Sequence, residues 1–562
     1  MNYMKSILAI LFSIMLILAG CTNDGVSESP TPSAPTETEK VTSPVATEEP
    51  QESKETTNHL DINIIEASTE NKYEATVSEF DLGKMEYTTD YGRVMPYNIK
   101  GIIGVPEGEG PFPLVLITHG SHSNDDESKR FDTGYDYLVK YMAKNGYITV
   151  SMDMSKPYIW KYGDNDDRIK SIPVANDHME SLLKANDGNN PGYPVELEGK
   201  IDLEKIGLIG HSRGGETIYD IAIDQSNRDV DIKAILAIAP TLFFKRDWPD
   251  VDVAILVPEY DGDIIQLDGF SMYRVLNSER QGLGNHYVTM LMGANHNYFN
   301  RNIERNDATF AGVEDISDQL TREQQESFLV KYAVGFFDST FMGKNYHFIN
   351  AHNPQPEIMY SFDVTAMFKS SQAVDLVDVK TTDDFIAAES IDIEYTIDSW
   401  FYKDDKVIID TVTSGIEPYN LRPLINMKWE KSGSSVTITP STKDFSDFSA
   451  LTLDMVIDSA DELNQADTSQ RFTIGLKDAN RNLSKIVLPE NLNALAKKPG
   501  KVDSYDLDGI AITNWSVATP LSSINLPLSE FKDVDLKQIE SIELIFDQTA
   551  SGSIYIDSIF LQ

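Results

Sequence analysis

Ile206-Gly207-Leu208-Ile209-Gly210-His211-Ser212-Arg213-Gly214-Gly215 is the stretch from which the rest of the chain can be read. A short apolar run ends at Gly210, a serine stands between glycines two positions away on either side, and a helical pattern follows to about Asp224. Gly-x-Ser-x-Gly is what a strand-to-helix turn needs when it lifts a serine into a site. The tight bend brings the positions two residues either side too close to neighbouring atoms for a side chain. As a bare string it is weak, with roughly 0.2 chance matches in a chain of this length, so its surroundings decide its meaning.

A serine hydroxyl is a poor nucleophile until a base removes its proton, and the base needs an acid to hold its tautomer and stabilise its charged form. In an α/β sheet carrying such a turn the chain order is Ser, then Asp or Glu, then His. His119, His122, His178 and His211 precede or adjoin Ser212, His286 begins an expected strand, and His347 and His352 lie beyond the last expected helix. That leaves His296, in Asn295-His296-Asn297, as the base. Asp261, in Glu259-Tyr260-Asp261-Gly262-Asp263 after another strand, is the expected acid, with Asp263 as the alternative and Glu259 a third. A developing oxyanion needs two preorganised donors. The expected pair is the backbone N–H of Arg213, next after the nucleophile, and that of Ser121, which follows Leu114-Val115-Leu116-Ile117-Thr118-His119-Gly120.

Outward from the turn, between about Lys72 and Gly343, Val- and Ile-rich runs at 99–105, 114–118, 147–152, 206–209, 234–239, 253–257 and 287–292 alternate with helical patterns at 135–145, 169–185, 213–224 and 322–341. This alternation predicts α/β architecture, a mostly parallel sheet flanked by helices, over residues 61–354. From 355 to 562 the texture changes to period two, as in Ile391, Ile393, Tyr395 and Ile397 against Asp392, Glu394, Thr396 and Asp398. That pattern predicts a β-sandwich of jelly-roll type.

At the other end, Met-Asn-Tyr-Met-Lys, an apolar run from Ile7 to Leu18 and then Ala19-Gly20-Cys21 read as a secretory signal over residues 1–21. Leu18-Ala19-Gly20-Cys21 resembles the lipobox of bacterial lipoproteins, which implies lipidation of Cys21 and an exported protein held on the outer face of the cell membrane. Cys21 is the one cysteine, so neither a disulfide nor thiol chemistry competes for it. Residues 22–60, rich in Ser, Thr, Pro and Glu, bury too little apolar surface to offset ordering entropy and are expected to be a disordered tether. A formal charge of -42 repels polyanions and excludes nucleic acid as a partner. The acidic loops Asp164-Asn165-Asp166-Asp167 and Asp506-Leu507-Asp508-Gly509 do not match a calcium loop and are expected to be solvated turns, so no metal is expected.

Pro111-Phe112-Pro113-Leu114 through His119-Gly120, Gly146-Tyr147 with its strand, and Gly210-His211-Ser212-Arg213-Gly214-Gly215-Glu216 together resemble the α/β-hydrolase superfamily. The chain looks most similar to exported bacterial serine esterases of the dienelactone-hydrolase and cutinase-like polyester hydrolase groups. Arg213 departs from the small or apolar residue that many lipases and polyester hydrolases carry there. The resemblance implies hydrolysis of a small or polymeric carboxylic ester through an acyl-enzyme on Ser212, without metal or organic cofactor. A peptidase or amidase using the same three residues, and a surface-binding lipoprotein on a hydrolase scaffold, are the alternative expectations.

Overall fold

The computed structural model describes residues 53–562 apart from 68–70, 123–125, 127–128, 164–166, 244–245, 280–283, 314, 345–347, 349, 399–421, 467, 508–509, 516 and 518. The signal segment, Cys21, most of the tether, His347 and much of the two acidic loops lie outside the described residues. Residues 53–562 form one compact unit.

In chain order the strands begin with β1 (Glu55–His59), β2 (Asn63–Ile65), β3 (Ala75–Thr88), β4 (Val94–Pro106), β5 (Phe112–Thr118) and β6 (Ile148–Met152). They continue with β7 (Ile201–His211), β8 (Ile232–Ile238), β9 (Asp252–Tyr260), β10 (His286–Asn295), β11 (Pro356–Met359) and β12 (Phe362–Lys369). All but β1 join an eleven-stranded sheet in the order β2-β11-β12-β10-β9-β8-β7-β5-β6-β4-β3. Its middle, from β10 through β9, β8, β7 and β5 to β6, is parallel, and β4, β3 and β12 add antiparallel margins.

Because successive strand side chains point to opposite faces, the fully apolar runs feed two cores at once. Leu114, Leu116, Ile235 and Ile255 face one side, against helices α2 (Asp167–Asn186), α3 (Arg213–Ser226) and α4 (Asp268–Glu279). Val115, Ile117, Leu236 and Leu256 face the other, against α1 (Asp136–Lys144) and α5 (Arg322–Met342). Burial on both faces is why these strands show no polar alternation. The sheet and its flanking helices agree with the expected α/β class. The strands and helices expected from the sequence are present, whereas α4 has no counterpart among them.

Two boundaries differ from expectation. Glu55–His59, expected in the tether, is a strand that pairs in parallel with Leu483–Val487 of the C-terminal part. The eleven-stranded sheet also does not stop near 354: β12 pairs along β10 from His286↔Lys369 to Leu291↔Val364, and β11 pairs with β12 and β2. Val364, Ala366 and Phe368 are apolar on alternate positions, so their period-two texture is that of a sheet margin as much as of a sandwich strand.

Beyond Lys369 the described residues form a separate two-stranded sheet that pairs Val502–Leu507 with Ile510–Trp515, and two six-stranded sheets of mainly antiparallel strands, one of which takes in β1. Ile425, Met427, Leu453 and Met455 of one and Val436, Ile474, Leu476 and Leu544 of the other share a single apolar core. Trp429 is buried there, stacked 4.1 Å from Phe546, and is a core aromatic.

Candidate active site

The site lies at the carboxyl ends of β7, β9 and β10, where open parallel sheets place their ligands. β7 ends at His211 and α3 starts at Arg213, leaving Ser212 alone in the bend with φ 59° and ψ −125°. A non-glycine residue at positive φ is strained, and such strain persists where the surroundings over-determine it. The flanking glycines explain how. A Cβ on Gly210 would meet the Gly214 carbonyl oxygen at 2.3 Å, and one on Gly214 would meet the His119 carbonyl oxygen at 2.6 Å. Serine is among the best helix caps, yet the Ser212 hydroxyl caps nothing.

The Ser121 loop is folded against the serine. A Cβ on Gly120 would sit 2.6 Å from Ser212 Cβ and 3.1 Å from its Oγ. His119 holds this loop: its Nε2 accepts the Met154 N–H at 2.9 Å, so Nδ1 carries the proton and donates to the Gly120 carbonyl at 2.9 Å. Arg213, the other expected oxyanion residue, opens α3, and its guanidinium lies over the Phe243 ring at 5.0 Å.

His296 is fully buried, and its Nδ1 is 3.0 Å from Asp261 Oδ2. Asp261 Oδ1 accepts the backbone N–H groups of Asp263 at 3.0 Å and Ile264 at 2.6 Å, which fixes the carboxylate. Of the two acids left open by the sequence, Asp261 is therefore the partner of Nδ1, while Asp263 lies 3.8 Å from the other nitrogen, Nε2. Glu259 accepts the Gly293 N–H at 2.8 Å and is not bonded to the imidazole. In the neutral ring, with Nδ1–H directed at Asp261, the lone pair is on Nε2, which has no hydrogen-bond partner among the described residues. Burial opposes charge on this ring. The Asp261 carboxylate and its hydrogen bond, with Asp263 and Asp307 behind them, outweigh burial and raise the pKa to about 9.

Two residues outside the expected set hold this arrangement. Asp307 is fully buried, and its Oδ2 accepts the N–H of Gly262 at 2.9 Å and of His296 at 3.0 Å, while Oδ1 accepts that of Asn297 at 2.9 Å. One carboxylate thus joins the loop carrying Asp261 to the loop carrying His296. Gly262 has to be glycine there, since a Cβ would come within 1.9 Å of the Asp307 carbonyl oxygen. His211 donates from Nε2 to the His296 carbonyl at 3.0 Å, and Tyr135 donates its hydroxyl proton to His211 Nδ1 at 2.8 Å, so the residue before the serine pins the backbone of His296. Burial, followed by the charge of His296, lowers the His211 pKa well below its ordinary value and keeps the ring neutral. His211 adjoins the recognised motif, but Asp307 offers no sequence signal, because its role exists only once two loops meet.

Ser121 and Asp263 also line a cleft of about 930 Å³ that opens beside these groups. Among the described residues, no group of three or more His, Cys, Asp and Glu side chains is placed to hold a metal ion.

A chlorophyllase family model matches residues 72–249, which include the Ser121 loop and Ser212 and end before Asp261. Chlorophyllase type 0 of Chenopodium album is 29% identical over 168 residues, covering 29% of this chain and 45% of the relative. Chlorophyllase-2 of Arabidopsis thaliana is 25% identical over 132 residues, 24% of this chain and 36% of the relative. The chain spans less than half the length of these curated relatives. From β3 to β8, including the serine turn, it is similar to the chlorophyllases, a family of serine esterases of the α/β-hydrolase type.

Proposed function

We propose that this protein hydrolyses carboxylic esters, with Ser212 as nucleophile, His296 as base and Asp261 as the group that orients and charges the base. The observation carrying this reading is the convergence of the strained glycine-flanked Ser212 with the 3.0 Å Asp261–His296 pair at the ends of neighbouring strands. The likeness to an ester-hydrolysing family supports it from a separate direction.

In this reaction Ser212 Oγ attacks the ester carbonyl while His296 Nε2 takes its proton. The oxyanion is held by the backbone N–H groups of Ser121 and Arg213. His296 returns the proton to the departing alcohol, leaving an acyl group on Ser212, and water then attacks with the same base assisting. The absence of a bond to Nε2 in the resting site is compatible with this sequence, since catalytic hydrogen bonds often tighten only with substrate in place. A short 4-nitrophenyl ester given to the purified protein and to Ser212→Ala is the test. The expected loss is at least about 10³-fold in kcat, because residual rates after removal of the nucleophile come from binding and the oxyanion donors alone. Equal turnover by both proteins removes the reading and leaves a binding lipoprotein on a hydrolase scaffold.

The protein is further proposed to be exported and anchored by lipid on Cys21, with a C-terminal sandwich of jelly-roll type in a structural or substrate-presenting role. The sequence around Cys21 supports the anchor. Cys21→Ser is expected to move the protein from the membrane fraction to the soluble fraction, and retention on the membrane refutes the anchor.

A further inference from the structure

Resting on the esterase reading, we infer that the substrate is an ester that also carries an anionic group, a carboxylate being the best match, bound by Lys129 and Arg305 in the cleft beside Ser212. Lys and Arg number 47 in 562 residues, about one in twelve. Of the twelve described residues lining this cleft four are cationic: Lys129, Arg130, Arg301 and Arg305. The acidic lining residues are Asp263 and Glu304. Four of the 47 cationic side chains of a chain of formal charge -42 thus line one cleft beside its candidate active site, against two acidic ones among the described residues.

The four cations differ in what holds them. Arg130 is engaged by both carboxylate oxygens of Asp132 and by Glu79, and Arg301 by Glu326 and Asp136. These two are neutralised and fix the walls. Lys129 and Arg305 are exposed and, among the described residues, within ion-pair distance of no carboxylate. Arg305 is steadied instead by the Phe310 ring, 4.3 Å from the guanidinium carbon, a contact that leaves its N–H groups free to bind an anion.

The cleft is joined to the chemistry from both sides. Ser121 follows the glycine packed on Ser212, and Asp263 and Asn297 adjoin His296. An anionic substrate approaching so acidic a surface is repelled at long range, and two cations without carboxylate partners at the entrance supply the local attraction that offsets it. A neutral ester has no use for them, and like charges gathered in one cleft repel each other.

The test compares kcat/KM for 4-nitrophenyl butyrate with that for 4-nitrophenyl hydrogen glutarate, which carries a carboxylate on the acyl side. A parallel pair, phenyl butyrate and 4-carboxyphenyl butyrate, carries it on the alcohol side. In at least one pair the anionic ester is expected to be favoured about tenfold at low salt, with the preference shrinking as ionic strength rises from about 0.01 to about 0.5 M. The double substitution Lys129→Gln with Arg305→Gln is expected to reduce that ratio several-fold and Arg305→Lys to retain part of it, with circular dichroism confirming the fold. Lys380→Gln with Lys431→Gln, two charges removed from the exposed surface of the C-terminal region, controls for total charge and should leave the ratio as it was. No anionic preference in either pair, or a ratio untouched by the double substitution, overturns the inference while the esterase reading stands. If none of the four esters is cleaved, the esterase reading falls and takes this inference with it.

Discussion

At the scale of single residues, the imidazole of His296 decides how the site behaves with pH. It accepts a proton only when neutral, and its three surrounding carboxylates raise its pKa to about 9 against the opposing effect of burial. Below that value the ring is mostly protonated and idle, so kcat/KM is expected to climb as pH rises towards about 9 and then to level. Asp263, 3.8 Å from Nε2 and partly exposed, is one of the groups that stabilise the charged form. Removing its charge in Asp263→Asn should move the midpoint of the profile to lower pH. A pH profile of initial rates on a neutral ester checks both statements, and a midpoint that stays in place or moves upward contradicts the assignment.

At the scale of elements, β7, β9 and β10 deliver their residues only because the loops after them are tied together. The bend at Ser212 is secured by backbone crowding at Gly210 and Gly214. The Asp261 and His296 loops are secured by Asp307, whose oxygens accept three N–H groups from both. Asn at this position keeps the size but directs an N–H₂ at one or two of the backbone donors in place of an accepting oxygen, so the tie between the loops is weakened. Asp307→Asn is expected to lower kcat by about 10²-fold, the typical effect of misplacing a catalytic group by around 1 Å, and to change KM little. Steady-state kinetics on a short ester, with the pH profile recorded alongside, read this out. Activity within twofold of the parent would mean that the loops hold their positions without it.

At the scale of the whole molecule, the two parts are not beads on a string. Leu424, Val456, Leu521 and Tyr555 of the C-terminal part lie in the same buried cluster as Met290 and Met367 of the central sheet. The Ser522 hydroxyl bonds the Ala366 backbone, and the Asn493 side chain bonds the carbonyl of Val364. β1, near the start of the described chain, pairs with a C-terminal strand. Such sharing of one core predicts a single cooperative thermal transition for residues 53–562, and an insoluble product when the chain is ended at 354, where β11 and β12 are lost from the sheet. Calorimetry of the full chain and expression of the shortened one give the measurements. Two well-separated transitions, or a soluble and active fragment, would show the parts to be independent.

Local sequence by itself determined the serine bend, the alternation of buried strands with helices, and the order in which Ser212, Asp261 and His296 follow one another at strand ends. Each of these rests on neighbours within a few positions: glycine spacing, apolar periodicity, the ends of strands. The choice of Asp261 over Asp263 as partner of Nδ1 was decided only by the tertiary structure, because two carboxylates two residues apart in one turn differ solely in what they face. Tertiary structure alone also revealed Asp307, the reach of the sheet to Lys369, the strand at Glu55–His59 and the gathering of cations around the cleft. Asp307 and His296 are eleven positions apart and Glu55 and Leu483 more than four hundred, and no short-range pattern encodes an encounter between segments that meet only when the chain has closed on itself.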